Sequence, residues 1–107
     1  MAEAFVIFCT CGSSEEAERL ASTLVRERLA ACVNIVAGIR SIYRWEDKVE
    51  DSAEVLLVIK STRDRLAAIE SRLEALHSYD TPEVIALPVV AGSERYLSWL
   101  KQQTQET

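Results

Sequence analysis

The chain has 107 residues, of which 49% are hydrophobic and 27% are charged, and its formal net charge at pH 7 is -5. A chain of this length and composition, with no linker, repeat or low-complexity tract, predicts one domain over residues 1–107 and excludes a disordered protein. The acidic balance argues against a nucleic-acid partner, and the lack of a long apolar stretch or a basic leader argues against a membrane span or a signal peptide.

The first predicted elements are a strand and an amphipathic helix. Residues 4–10 form a short apolar run rich in β-formers, which is typical of a buried strand. Ser13 and Glu16 have the spacing of a capping box, so we expect a helix to begin there. Apolar residues then recur at helical spacing as far as about Ala31, which predicts a helix with one buried face.

A long extended segment follows at residues 32–45, CVNIVAGIRSIYRW, and a second apolar strand is predicted at residues 54–60. An extended segment of this length spans about 45 Å, whereas a domain of this size has a radius of gyration of about 13 Å. The strand pair must therefore bend sharply or extend past its own domain. Such a ribbon would expose apolar side chains unless another copy of the chain covered them. We therefore predict a small oligomer with Ile42, Tyr43 and Trp45 in the subunit interface.

Turn residues and caps predict the remaining elements. Gly38 within the long strand predicts a bulge, because glycine tolerates backbone angles that other residues resist. Residues 46–48 are expected to make the turn back. Thr62 is expected to cap a second helix, and the last main strand is predicted at residues 83–90. Because Pro88 cannot donate a hydrogen bond to a neighbouring strand, we expect that strand at an edge of the sheet.

The predicted order, completed by a short helix after Ser93, is β-α-β-β-α-β with a C-terminal helix. This is the pattern of an α+β, ferredoxin-like sandwich, here with an extended β-ribbon. In that topology the first and third strands are central, and the second and fourth strands lie at the edges. The sequence agrees, because its two most continuously apolar strands are the first and the third, while the proline lies in the fourth.

Three strings of residues carry a resemblance to a known family: LAACVNIVAGIRSIYRWEDKVE at 29–50, EVLLVIKST at 54–62 and LHSYDTPEVIALPVVAGSERYLSWL at 76–100. They resemble the CutA family of divalent-cation tolerance proteins. The resemblance implies a homotrimer built by the extended ribbons, a cytoplasmic location, and a role in copper tolerance with copper or other divalent ions bound. The three cysteines, an odd number, also suit a reducing cytoplasm better than a disulfide framework.

The candidate metal ligands are the three cysteines and the single histidine. Copper(I) prefers soft thiolates, and copper(II) takes imidazole readily. Cys9 and Cys11 would point to the same face of a strand, with Cys11 the more exposed, and Cys32 would open the long strand as a core residue. By resemblance, Cys9 and His77 occupy positions that bind copper in the family. The ordinary alternatives are a cysteine that packs as a small hydrophobic residue and a histidine that interacts with a helix C-terminus.

The chain departs from the family pattern beside this histidine. Ser78 stands where family members commonly have proline, and Leu76 stands where some carry a second histidine. The missing histidine removes one of the ligands that a copper site would use. The resemblance therefore implies a metal site with fewer ligands than in those members.

The sequence has few features that are typical of an enzyme. It has no glycine-rich phosphate loop, no G-x-S-x-G elbow and no H-E-x-x-H motif, so we expect no catalytic activity. The main interpretation is a homotrimeric copper-binding tolerance protein. The alternative is a trimeric signalling or scaffold module, similar in architecture to PII-type regulators, that binds a small ligand or a protein partner at clefts between subunits.

Overall fold

Four strands and three helices follow one another along residues 3–105, the part of the chain that the computed structural model describes. The outermost residues of the predicted domain 1–107 lie outside this range. Within it, no helix combines the length and the apolar character needed to cross a membrane. The strands are β1 Ala4–Cys11, β2 Cys32–Trp45, β3 Lys48–Thr62 and β4 Ile85–Pro88, and the helices are α1 Ser14–Arg26, α2 Leu66–Leu76 and α3 Glu94–Gln103.

The strands form one antiparallel sheet in the order β2-β3-β1-β4. β1 and β3 are therefore the central strands and β2 and β4 are the edges, as the sequence predicted. Together with the order of the helices, this sheet confirms the α+β, ferredoxin-like fold. Pro88 lies in the edge strand β4 opposite Phe5 of β1, and an edge strand is where a residue without an N–H donor is tolerated.

The core lies between one face of the sheet and helices α1 and α2. Side chains on β1 are buried alternately, so Ile7, Cys9 and Cys11 all face the helices. Large apolar side chains surround them, and burying each one stabilises the fold by about 1.5–3 kcal/mol. These core residues are Leu20, Leu24, Leu57, Ile59, Ile69 and Leu73. The packing of this layer fixes where the two cysteines of β1 lie.

The β2–β3 hairpin, which we call the ribbon, is longer than the sequence suggested, because β3 begins at Lys48 rather than at residue 54. The pairing register shifts between Val36 and Ile39, where Gly38 has a φ of 78°. The predicted bulge is therefore confirmed. The molecule measures 44 × 26 × 22 Å along its principal axes, and the long dimension matches a ribbon that reaches past the helix-covered core.

The first helix is shorter than predicted. α1 begins after Ser13 as expected, with the backbone N–H of Glu16 donating to the Ser13 hydroxyl at 3.2 Å, but it ends at Arg26 instead of near residue 31. The N–H groups of Leu29 and Ala30 both donate to the carbonyl oxygen of Leu24. These hydrogen bonds close the helix early, and apolar periodicity alone did not reveal them.

Two other boundaries differ from the prediction. β4 covers Ile85–Pro88 instead of residues 83–90, because only those residues pair with β1. Thr62 is still part of β3, and its side chain does not cap α2, because the short 3-10 turn Arg63–Arg65 lies between them. Ser93 caps α3 as predicted, its hydroxyl accepting a backbone hydrogen bond.

Candidate functional site

The structure brings Cys9, Cys11 and His77 into one group, which we call the Cys–His cluster. One sulfur or ring-nitrogen atom from each lies within 4.8 Å of the others. Over residues 3–105, no other three His, Cys, Asp or Glu side chains are grouped closely enough to hold one ion. Cys9 and Cys11 alternate along β1 and so share a face, and His77 directly follows α2. The hydrogen bond between His77 and the carbonyl oxygen of Thr10 therefore joins the end of α2 to β1 and completes the cluster.

The Cys–His cluster is shielded from solvent. Cys9 and Cys11 are each 0% exposed, and the side chain of His77 is also 0% exposed. The expectation that Cys11 would be the more exposed cysteine is wrong, because β1 extends through Cys11 and its alternation buries both residues. Cys32 is half-buried at the start of β2 and does not belong to the cluster. An ion would reach the cluster only through local opening of the fold.

Both ring nitrogens of His77 are already hydrogen-bonded. Nε2 donates to the carbonyl oxygen of Thr10 at 2.7 Å, and Nδ1 accepts from the backbone N–H of Tyr79 at 3.0 Å. A carbonyl oxygen can only accept and an amide N–H can only donate, so these bonds specify a neutral imidazole protonated on Nε2. The Tyr79 ring also lies 4.6 Å from the imidazole, centroid to centroid. His77 thus links β1, the end of α2 and the loop that follows.

Glu16 is the buried carboxylate beside the cluster. Its Oε2 accepts from the backbone N–H of Ser78 at 2.7 Å, and its Oε1 accepts from the Ser78 hydroxyl at 3.0 Å. Burial opposes ionisation of this carboxyl, but the hydrogen bonds from Ser78 and from the backbone of Gly12, together with the nearby His77, outweigh burial and lower the pKa of Glu16. Oε2 also lies 3.7 Å from Nδ1 of His77. Sequence reasoning gave Glu16 only a capping role, because the Ser78 contact depends on tertiary packing.

The two thiols of the cluster differ in acidity. The interaction between the two neighbouring thiols raises the pKa of Cys9 and lowers the pKa of Cys11. Burial adds to the rise at Cys9 and opposes the fall at Cys11. Cys11 is therefore the thiol that loses its proton first. Two sulfurs and an imidazole form a soft donor set, which suits copper(I), although His77 could coordinate an ion only by giving up one of its two hydrogen bonds.

The predicted interface residues lie on the ribbon, outside the Cys–His cluster. Ile42 is 67% exposed, Tyr43 is 42% exposed and Trp45 is 50% exposed. All three belong to the edge strand β2. The ribbon therefore presents large apolar and aromatic side chains to solvent in the single chain. The interface was predicted because an extended ribbon would expose such side chains.

A cleft of about 600 Å³ lies between the ribbon and the loop that precedes β4. Tyr79 donates a hydrogen bond from its hydroxyl to Oε2 of Glu54 at 2.7 Å, across the wall of this cleft. Burial, followed by the neighbouring Glu54 carboxylate, raises the pKa of Tyr79. The walls carry three aromatic rings and three carboxylates, from Tyr43, Trp45, Tyr79, Glu54, Asp80 and Glu83. The cleft forms only when the ribbon and the loop come together, so no continuous segment of the sequence contains it.

Comparisons with known proteins identify the relatives of this chain. The family model described as CutA1 divalent ion tolerance protein matches residues 5–103. Protein CutA, chloroplastic, from Arabidopsis thaliana is 48% identical over 94% of this chain, and the match covers 55% of that protein. Divalent-cation tolerance protein CutA from Thermus thermophilus is 46% identical over 92% of this chain and 96% of its own length. These names support the interpretation as a divalent-cation tolerance protein and do not support the PII-like alternative.

A solved structure agrees with the sequence relatives. The crystal structure of CutA1 from Oryza sativa has a TM-score of 0.94 and 48% sequence identity, and the match covers 98% of this chain and 96% of that one. The chain spans only 55% and 58% of the lengths of the Arabidopsis and rice curated relatives. The shared fold thus accounts for nearly all of this chain and for little more than half of those plant proteins.

The predicted cytoplasmic location is wrong. Two plant relatives are named chloroplastic, and a CutA structure from Archaeoglobus fulgidus, with a TM-score of 0.92 and 36% identity, is described as periplasmic. The prediction relied partly on an odd number of cysteines. Since Cys9 and Cys11 are completely buried, their thiols are protected by the fold, and their number does not identify a compartment.

Proposed function

The chain belongs to the CutA1 divalent ion tolerance family, and on this premise we propose that it is a homotrimeric, copper-binding metal-tolerance protein. The Cys–His cluster is the proposed copper site. The observation that carries the proposal is the approach of Cys9, Cys11 and His77 to within 4.8 Å of one another in a buried position. Nothing in this proposal requires a covalent reaction, because the ion is the cargo.

The chemistry of the donors favours copper(I) over harder ions. Thiolates are soft ligands that select copper(I), whereas magnesium and calcium prefer oxygen ligands. Cys11 is the more acidic thiol, and its proton would leave first when an ion binds. The second proton, on Cys9, would be displaced by the ion itself, because burial and the neighbouring sulfur hold that thiol protonated. Copper affinity should therefore rise with pH.

His77 would contribute as a third ligand or as the group that holds the site together. Coordination through Nδ1 would cost the hydrogen bond from Tyr79, and coordination through Nε2 would cost the bond to Thr10. Each such bond contributes about 0.5–1.5 kcal/mol. This cost is small beside the free energy of a metal–thiolate site, so it weakens the proposed affinity without preventing binding.

The proposal is for a binding protein rather than an enzyme. A catalytic cysteine needs a base that can accept its proton. Both nitrogens of His77 are occupied by Thr10 and Tyr79, so the histidine offers no free lone pair to either thiol. Complete burial of Cys9 and Cys11 also keeps a substrate away from them. These contacts favour storage or exchange of an ion over covalent catalysis.

The proposed homotrimer rests on the two edges of the sheet. Edge strand β2 exposes Ile42, Tyr43 and Trp45, and edge strand β4 exposes Ile85 and Leu87, which are 52% and 48% exposed. Exposed apolar edges promote pairing with another strand. Contact between the β2 edge of one copy and the β4 edge of the next would be head-to-tail and could close a ring. The choice of three subunits comes from the family resemblance.

Titration of the reduced protein with copper(I) against a competing chelator tests the copper site. We expect saturable binding that falls by about 100-fold or more in Cys9→Ser or Cys11→Ser, since even outer-shell changes cost 10–100-fold. His77→Ala should fall by about tenfold or more. Cys32→Ser is the matched control, because this thiol lies outside the cluster, and its affinity should equal that of the wild type. Binding that is indifferent to Cys9→Ser and Cys11→Ser would contradict the proposal.

A further inference from the structure

Regular secondary structure encloses most of the Cys–His cluster. Its two cysteines lie on the central strand β1, in the layer between the sheet and helices α1 and α2. His77 is the one member of the cluster on an irregular segment, because α2 ends at Leu76 and β4 begins only at Ile85. An opening at this segment would expose the cluster without breaking the hydrogen bonds of a strand or a helix interior.

Side chains, and not backbone pairing, hold this segment in place. The backbone N–H of His77 still donates to the carbonyl oxygen of Leu73 in α2. Within the described residues 3–105, positions 78–81 make no hydrogen bond from one backbone group to another. Segments held by few such bonds open locally at a lower free energy than strands and helices do. The segment after α2 is therefore the part of the enclosure that opens most easily.

The first contact that keeps this segment closed is made by Glu16. We call residues 77–79 the latch. Ser78 donates its backbone N–H and its hydroxyl to the two carboxylate oxygens of Glu16, at 2.7 and 3.0 Å. Glu16 is only 6% exposed and lies in the first turn of α1, so its buried charge depends in part on these donors. Hydrogen bonds to an ionised acceptor are about twice as strong as neutral ones, so this pair holds the latch firmly.

The second contact is made by Tyr79, whose ring covers the end of β1. Its hydroxyl donates to Oε2 of Glu54 in β3 at 2.7 Å. The same ring packs closely on Gly12, where an added Cβ would lie 3.3 Å from the Tyr79 hydroxyl oxygen. Gly12 directly follows Cys11 in the chain. The latch therefore crosses the end of the strand next to the second thiol of the cluster.

We propose that the latch is the gate of the Cys–His cluster and that Glu16 is the positioning residue that keeps the gate closed. Opening would separate His77 from the carbonyl oxygen of Thr10 and expose the thiols, so that a copper(I) ion enters at the end of β1. The identity of the ion rests on the proposed copper site. Exposure of the thiols is a property of the metal-free protein and can be measured by itself.

Thiol labelling with the aromatic disulfide DTNB tests the latch in the metal-free, full-length protein. All the proteins carry Cys32→Ser, so that Cys9 and Cys11 are the only thiols. Ser78→Ala removes one hydrogen bond to the carboxylate of Glu16. It should raise the labelling rate by about tenfold or more, the factor that a hydrogen bond to a charged group contributes. Ser78→Thr keeps a hydroxyl at this position and should label as slowly as the protein with serine.

Gly38→Ala separates opening of the latch from unfolding of the whole protein. Gly38 lies on the ribbon with a φ of 78°, so alanine there strains the backbone without touching the latch. If the thiols become exposed through the latch, this variant should label at an unchanged rate although it unfolds more easily. Tyr79→Phe, which loses the bond to Glu54, should instead label faster. Equal acceleration by Ser78→Ala and Gly38→Ala, or no acceleration by Ser78→Ala and Tyr79→Phe, would overturn the proposal.

Copper(I) transfer from a competing chelator distinguishes failure of the latch from failure of the copper site. If both proposals hold, Ser78→Ala should take up copper(I) faster by about the same factor as it is labelled. Faster labelling of Ser78→Ala in a protein that binds no copper would support the latch and reject the copper site. Normal copper binding, with a labelling rate that Ser78→Ala does not change, would reject the latch alone.

Discussion

At the scale of single residues, the spacing of Cys9 and Cys11 predicted that the two cysteines lie together, whereas the position of His77 depends on tertiary packing. Cys9 and Cys11 lie two positions apart on a strand, so their common face followed from strand geometry. The approach of His77 depends on the loop after α2 and on the carbonyl oxygen of Thr10. Every residue has a backbone carbonyl oxygen, so no sequence pattern could indicate which of them His77 contacts. His77 entered the prediction as the chain's single imidazole and through the family resemblance, and not through any predicted contact with the cysteines.

Glu16 provides a residue-scale prediction with a defined pH dependence. Its folded-state pKa is lower than the ordinary value of 4.5. The ionised carboxylate therefore stabilises the fold above that pH, and the contribution is lost as the pH falls through the folded-state pKa. Glu16→Gln should lower the free energy of unfolding by about 1.5–3 kcal/mol at neutral pH, because the substitution removes hydrogen bonds to a charged group.

Denaturant unfolding of the wild type and Glu16→Gln between pH 7 and pH 3 measures this effect. The difference between the two proteins should shrink at the acidic end. Glu18→Gln is the control, because Glu18 lies on the same helix but is exposed, and it should match the wild type at every pH. A Glu16→Gln difference that stays constant with pH would show that shape, not charge, accounts for the loss.

At the scale of elements, the type and order of the strands and helices were predictable, but the extent of the ribbon was not. Residues 48–53 are mostly polar and exposed, so apolar patterning placed the start of β3 later than the structure does. The hairpin turn is made by Glu46 and Asp47, with φ values of 49° and 65°. Such positive φ angles suit a two-residue turn that continues the twist of both strands. Because neither residue is a glycine, the sequence pattern predicted the position of the turn but not its positive-φ type.

The bulge in β2 gives a prediction at this scale. A Cβ at Gly38 would meet no atom within 4 Å, yet its φ of 78° is one that L-residues rarely adopt. Gly38→Ala should therefore destabilise the protein by about 1–2 kcal/mol through backbone strain alone. Gly38→Asn should cost less, because asparagine tolerates positive φ better than alanine. Urea unfolding at one protein concentration ranks the three proteins, and an alanine variant as stable as the wild type would contradict the strain argument.

At the scale of the whole molecule, the buried Cys–His cluster is separate from the exposed ribbon. The cluster lies in the layer between the sheet and the helices, whereas Ile42, Tyr43 and Trp45 lie on the β2 edge and also line the cleft beside the loop before β4. The extension of the ribbon past the helix-covered core was predictable, because a strand of this length cannot be contained in a domain of this size. The number of subunits was not, since exposed edges require a partner without specifying how many copies close the ring.

Disruption of the ribbon surface tests the assembly. Trp45 is half-exposed on the edge strand β2, and a carboxylate at this position would have to be desolvated in an apolar interface. Desolvating an unpaired charge costs several kcal/mol, so Trp45→Asp should shift the protein from the proposed trimer to a smaller species. Light scattering measures this change directly, because the chain mass is 12.0 kDa and the trimer has three times that mass.

Val25→Asp is the matched control for Trp45→Asp. Val25 is also a large hydrophobic residue exposed at 43%, but it lies on α1 and not on the ribbon. The same apolar-to-acidic change there should leave the mass unchanged, since no sheet edge is altered. If Trp45→Asp also kept the wild-type mass on dilution, Trp45 would not belong to the interface. If the wild type itself scattered as a single 12.0 kDa chain, the ribbon would be stable without a second copy, and the argument from its exposed aromatic residues would fail.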